Sequence, residues 1–220
     1  MRDRATICLV TDRTRMAAGE EEFTKIEGRL VDLARAAAAA GVDLLQVRER
    51  DLETSRLVDL VSRILGVVRD TPMRVVVNDR LDVALACSAH GVHLRADSVS
   101  PAAARSIAPP GFLVGRSVHA VGEAVEHAAD VDYLVAGTVF PSLSKPASDR
   151  LLGVSGLAQI AHAVRVPVLA IGGVSPANLP QVAAAGAAGI AAIGLFLTSA
   201  AIAETVASVR GAFDIAKAAS

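Results

Sequence analysis

VPVLAIGGVSPANLPQVAAAGAAGIAAIGLFLTSAAIA, residues 166 to 203, contains no charged side chain. On length alone it is a candidate membrane span, because about 20 apolar residues suffice to cross a bilayer. Glycine and proline decide otherwise. Gly172, Gly173, Pro176, Pro180, Gly186 and Gly189 cut the stretch into pieces of strand and helix size. It then reads as a strand, PVLAIGG (167–173), a helix, and a second strand, GIAAIGL (189–195). Both strand pieces are continuously apolar rather than alternating, which suits a parallel sheet covered on both faces.

The same unit recurs toward the N terminus. Strand-like runs are TICLVTD (6–12), LLQVRE (44–49), RVVVND (74–79), GVHL (91–94), LVGRSVH (113–119) and YLVAGTVF (133–140), which makes eight with the two above. Apolar residues at helical spacing lie between them: Phe23, Ile26, Leu30, Leu33 and Ala34 of FTKIEGRLVDLARAAAAA (23–40) share one face. SPAAA (100–104) and SPANL (175–179) each read as a serine N-cap with proline at the first helical position. Eight βα units predict an α/β protein, a single (β/α)8 TIM barrel spanning residues 1–220 as one domain. An open doubly wound sheet is the runner-up. It lacks its fingerprint, since TDRTRMAAGE (11–20) rather than a GxGxxG follows the first strand.

Composition agrees. Apolar residues make up 52% and aromatics 3%, with no Trp, so the core must be Ala, Val, Leu and Ile. Lys plus Arg (22) nearly balance Asp plus Glu (23), which argues against nucleic acid or an anionic membrane as partner and makes any anion site local. Cys8 and Cys87 lack CxxC spacing and are expected in the core of a protein from a reducing compartment. The apolar run of MRDRATICLV (1–10) is too short for a secretory segment, so a cytoplasmic protein is expected.

A parallel barrel carries its chemistry at the C-terminal ends of its strands. In QVRER (46–50), Gln46, Arg48 and Arg50 point to one side and Val47 and Glu49 to the other. Forked guanidinium donors suit phosphate or diphosphate, although Arg48 and Glu49 in structural ion pairs would give the same pattern. In VNDR (77–80), Asn78 suits a heterocycle, and Asp79 suits Mg2+ or an arginine from QVRER; either residue also suits capping of the next helix. FPSLSK (140–145) reads as a lid carrying Ser142, Ser144 and Lys145, or as an ordinary solvated loop. Gly172 and Gly173, with Ile193 and Gly194 after the eighth strand, stand where barrels bind phosphate through backbone N–H groups. His90, His127 and His162 read as surface residues. His93 lies in a strand, and His119 ends one with Ser117 on its side, facing the mouth; both structural and catalytic roles fit.

Taken in order, QVRER, VNDR, GVHL, GRSVHA (115–120), GTVFPSLSK (137–145), AIGG and GIAAIG resemble the thiamine phosphate synthase and TenI superfamily over nearly the whole chain. The resemblance implies a barrel, a thiazole phosphate cup at the last two strands, and a role in thiamine synthesis. Synthases of this family join a pyrimidine diphosphate to thiazole phosphate using Mg2+ held by the Asp of ND and by a later Asp. Here RADS (95–98) replaces the family's GQxD, so the second ligand falls on Ser98, with Asp97 beside it. Gly194 also stands where the family usually has serine. These departures favour a TenI-type thiazole tautomerase, needing no cofactor, in which His119 is the acid–base group and Arg48 or Lys145 holds the substrate carboxylate. A synthase with Mg2+ on Asp79 is the second expectation, and a non-catalytic thiamine-precursor binder the third. The resemblance also makes a homodimer reasonable.

Overall fold

A computed structural model describes residues 4–16, 23–141, 151–197 and 202–218. Eight parallel strands close into a barrel in sequence order: β1 (Thr6–Val10), β2 (Leu44–Val47), β3 (Arg74–Asn78), β4 (Gly91–Leu94), β5 (Leu113–Val118), β6 (Tyr133–Gly137), β7 (Val168–Ile171) and β8 (Gly189–Ala192). The ring shuts where Thr6 to Leu9 pair with Gly189 to Ala192. The (β/α)8 expectation holds, and so does each of the eight strands.

Helices cover the outside: α1 (Phe23–Ala39), α2 (Thr54–Val68), α3 (Leu81–Ala86), α4 (Pro101–Ile107), α5 (Val121–His127), α6 (Gly153–Ala163), α7 (Leu179–Ala184), α8 (Gly194–Leu197) and α9 (Ile202–Ala218). Strand alternation sorts the core into two layers. Ile7 and Leu9 of β1 pack outward with helix residues such as Leu30 and Ala34. Cys8 and Val10 point inward, to Leu44, Tyr133, Val135 and Leu169. The lone tyrosine explains a glycine: Tyr133 lays its ring where a side chain at Gly115 would stand. Among the described residues, no helix is long and apolar enough to cross a membrane.

Two local expectations are corrected. Ser100 does cap α4, accepting from the Ala103 amide at 3.2 Å. SPAN (175–178) instead folds as a turn, and α7 begins at Leu179 behind Asn178. The Asn178 carboxamide accepts from the Ser175 amide (2.8 Å) and donates to the Gly173 carbonyl (2.9 Å), closing the turn from both sides. Cys8 is in the core, and burial pushes its thiol up to about 12. Cys87 is only half-buried, its thiol directed at the Val58 carbonyl.

At the N-terminal face, buried Asp43 accepts from the Ile7 amide (2.8 Å), Arg4 (3.0 Å) and Arg210 (2.8 Å). One carboxylate thus ties β1 and β2 to α9.

Candidate active site

The C-terminal ends of the strands surround a cavity of about 590 Å3. Among the described residues, four arginines (Arg15, Arg48, Arg50, Arg95) and one aspartate (Asp97) line it. A chain with net charge −1 therefore concentrates positive charge where the barrel opens.

Gln46, Arg48 and Arg50 all reach this cavity. Gln46 donates to Asn78 Oδ1 at 2.9 Å across the strand pair. Arg48 stands 3.6 Å from Asp12, and its backbone N–H donates to Thr11 Oγ1 at 2.9 Å. Burial, reinforced by the charges of Arg48 and Arg95, holds the Arg50 guanidinium below its usual range. Guanidinium groups gathered this closely gain from an anion placed between them. Glu49 has the structural role: buried, it accepts from Thr11 Oγ1 (2.6 Å) and the Arg13 amide (3.1 Å), and desolvation pushes its carboxyl up despite these bonds.

The β3–α3 and β4–α4 loops meet beside the arginines. Asp79 adopts a left-handed backbone (φ +66°), which Asp tolerates better than most residues, and its amide donates to the His93 carbonyl at 2.8 Å. Neither Asn78 nor Asp79 caps α3, whose N-cap is Arg80 with no side-chain cap bond. Ser98 Oγ donates to Asp79 Oδ1 and accepts from the Arg95 amide at 2.7 Å. The Arg95 guanidinium bridges the two carboxylates, 3.6 Å from Asp79 and 2.7 Å from Asp97. Asp79 therefore takes an arginine, but from RADS rather than from QVRER.

The resemblance to the thiamine phosphate synthase and TenI superfamily implies Mg2+ held by carboxylates at this place. Asp97 lines the cavity with Arg95, whereas Asp79 lies behind that guanidinium and outside the lining. No group of three or more His, Cys, Asp or Glu side chains among the described residues is arranged to hold a metal. A cation of the protein already stands between the two acids, so the donor set does not fit Mg2+ as placed.

The two strand histidines divide. His93 points into the barrel, with Nε2 2.8 Å from Ser117 Oγ and its ring stacked on Tyr133. Burial pushes it down to about 3, so it is neutral. His119 is exposed at the mouth, and its Nδ1 faces the Gly137 carbonyl. A carbonyl only accepts, so Nδ1 carries the proton and holds the ring against the end of β6. His90 is half-buried rather than superficial, its Nδ1 accepting from the Val75 amide at 3.0 Å.

Gly172 (φ +97°) and Gly173 (φ +62°) turn the chain after β7 in conformations that L side chains rarely adopt. A side-chain carbon at Gly173 would also lie 2.7 Å from Phe140 Cβ. Both glycines line the cavity with Ile193 and Gly194. A carbon at Gly194 would come within 3.0 Å of Arg15 Nη2, so the end of this arginine would have to shift slightly for a serine.

Arg15, Arg95 and Asn178 were missed by the sequence reading. TDRTR after the first strand was a usable signal for Arg15, because it puts basic residues at the catalytic face. Ser142, Ser144 and Lys145, the expected lid residues, lie outside the described residues.

The family model described as thiamine monophosphate synthase matches residues 8–196. The thiamine-phosphate synthase of Methanoculleus marisnigri is 40% identical over 188 residues, covering 85% of this chain and 89% of that protein. That of Archaeoglobus fulgidus is 41% identical over 162 residues, covering 74% and 76%. The structure of thiamine phosphate pyrophosphorylase from Pyrococcus furiosus superposes with a TM-score of 0.80 at 29% identity, covering 96% of each chain. These relatives overturn the expectation of a TenI-type tautomerase, since those at about 40% identity are named for the synthase. The cavity agrees with them: three guanidinium groups gathered at its mouth suit a diphosphate better than a single carboxylate. With residues 8–196 matched by one family model, the chain belongs to the thiamine monophosphate synthase family.

Proposed function

We propose that this chain is a thiamine-phosphate synthase, which joins a hydroxymethylpyrimidine diphosphate to thiazole phosphate with release of diphosphate. The observation that carries the proposal is the division of one cavity into an arginine side (Arg48, Arg50, Arg95) and a glycine side (Gly172, Gly173, Ile193, Gly194). Two phosphorylated substrates need two anion sites facing one another.

In this reading the thiazole phosphate rests on the backbone N–H groups of the glycine side, with Arg15 alongside. The Gln46–Asn78 pair keeps an amide acceptor and an amide donor for the pyrimidine edge. The bond between the pyrimidine methylene carbon and the diphosphate oxygen breaks, and the thiazole nitrogen supplies the electron pair of the new C–N bond. The nitrogen has no proton to lose, so no general base is required. Negative charge grows on the departing diphosphate, where the guanidinium groups of Arg48 and Arg50 stabilise it. Lys145, Ser142 and Ser144 of FPSLSK supply a cation and two hydroxyls of the kind that bind a diphosphate.

The test is to incubate the protein with both substrates and follow thiamine phosphate. Formation at a rate proportional to protein supports the proposal; binding of thiazole phosphate with no product formed overturns it.

A further inference from the structure

The cation that faces the cavity between Asp79 and Asp97 belongs to the protein itself. Arg95 contacts Asp97 at 2.7 Å and Asp79 at 3.6 Å, and its own amide is fixed by Ser98 Oγ at 2.7 Å. Ser98 also bonds Asp79, so each oxygen of that carboxylate meets the 95–98 loop. Behind the loop, buried Arg116 donates to the Ala96 carbonyl at 3.1 Å, which braces the backbone carrying Arg95. The guanidinium lies on the cavity lining with Arg48 and Arg50, and after burial and Arg48 its charge adds to the lowering of the Arg50 pKa. Three guanidinium groups offer fifteen N–H donors in planar forks, and the three carboxylates beside them, Asp12, Asp79 and Asp97, occupy only part of that donor capacity.

We propose that Arg95 is a built-in cation that binds the diphosphate of the substrate in place of a divalent metal ion. The identity of the anion rests on the synthase reading; the metal independence rests on the placement of Arg95. A diphosphate entering this side replaces the Asp97 contact with charge-assisted bonds to a more highly charged anion. Asp79 and Ser98 then hold the guanidinium stem and loop in place. Lysine at 95 keeps the charge but loses the fork that spans two acceptors.

Calorimetric titration of the intact protein with inorganic pyrophosphate tests this, in EDTA and again with millimolar Mg2+. For the wild type, Kd in EDTA is expected within about threefold of Kd with Mg2+. Arg95→Ala should raise Kd in EDTA by about tenfold or more, and Arg95→Lys should recover part of the loss. Wild-type binding that is tenfold or more weaker in EDTA overturns the proposal, as does an Arg95→Ala protein that binds like wild type. Failure of the two readings is distinguishable. Metal-free pyrophosphate binding through Arg95 with no thiamine phosphate formed removes the synthase reading alone. Thiamine phosphate formation that stops in EDTA, with pyrophosphate binding lost as well, removes the Arg95 proposal alone.

Discussion

His93 Nε2 lies 2.8 Å from Ser117 Oγ inside the barrel, directly beneath the cavity that His119 flanks at the rim. The inner histidine is neutral because burial lowers it to about 3. Unfolded, it titrates near its ordinary value of 6.5. Its folded value is the lower one, so its contribution to stability is present above pH 6.5. That contribution is lost as pH falls toward 3, because only the unfolded chain takes up the proton. Between pH 7 and pH 5 this single group should remove roughly 2 kcal/mol of unfolding free energy. Urea denaturation of wild type and His93→Gln across that interval checks it, and the variant should show a shallower decline.

Arg48 and His119 both reach the cavity, yet they should differ in kinetic weight. Arg48→Ala removes a fork donor from the developing diphosphate charge and should lower kcat/KM by about 100-fold or more. His119→Asn, which leaves the arginines in place, should cost less than about tenfold, since the proposed C–N bond formation needs no general base and the ring's Nδ1–H is held by the Gly137 carbonyl. Steady-state kinetics with each substrate varied separates the two.

Gly173→Ala should damage both fold and site. Its φ of +62° strains any L side chain, and the added carbon would meet Phe140 and Pro141. A stability loss of about 1 kcal/mol or more is expected, with a KM for thiazole phosphate raised about tenfold or more. Thermal denaturation and a KM measurement report the two effects independently.

Asp43→Ala should destabilise without touching chemistry. It leaves Arg210 beside a buried position that has lost its charge partner, at a cost of about 3–5 kcal/mol. Denaturant unfolding should show the loss, with kcat unchanged in the fraction that remains folded.

The barrel was legible because each buried parallel strand is an apolar run that chain length and glycine bound. GVHL (91–94) matches β4 at both ends. Other strands end one to three residues sooner than the pattern implied, because their first loop residues, such as Arg48 and His119, continue the extended pattern. Gln46, Arg48 and Gly173 were found at the mouth by alternation and strand counting, which are local properties. Arg95 was not, because its significance depends on two loops meeting: alone, RADS is polar punctuation, and only beside Asp79 does its guanidinium become a bridge. The tautomerase expectation failed on the same step. Ser98 in place of the family's second carboxylate suggested loss of diphosphate chemistry, whereas the relatives are named for the synthase and the same loop brings the Arg95 guanidinium to the cavity.

The most direct measurement is the stoichiometry of turnover by the purified protein supplied with hydroxymethylpyrimidine diphosphate and thiazole phosphate. One thiamine phosphate should appear for each diphosphate released, over many turnovers per protein molecule. Diphosphate released without thiamine phosphate, or no turnover of either substrate, would contradict a synthase built on this cavity.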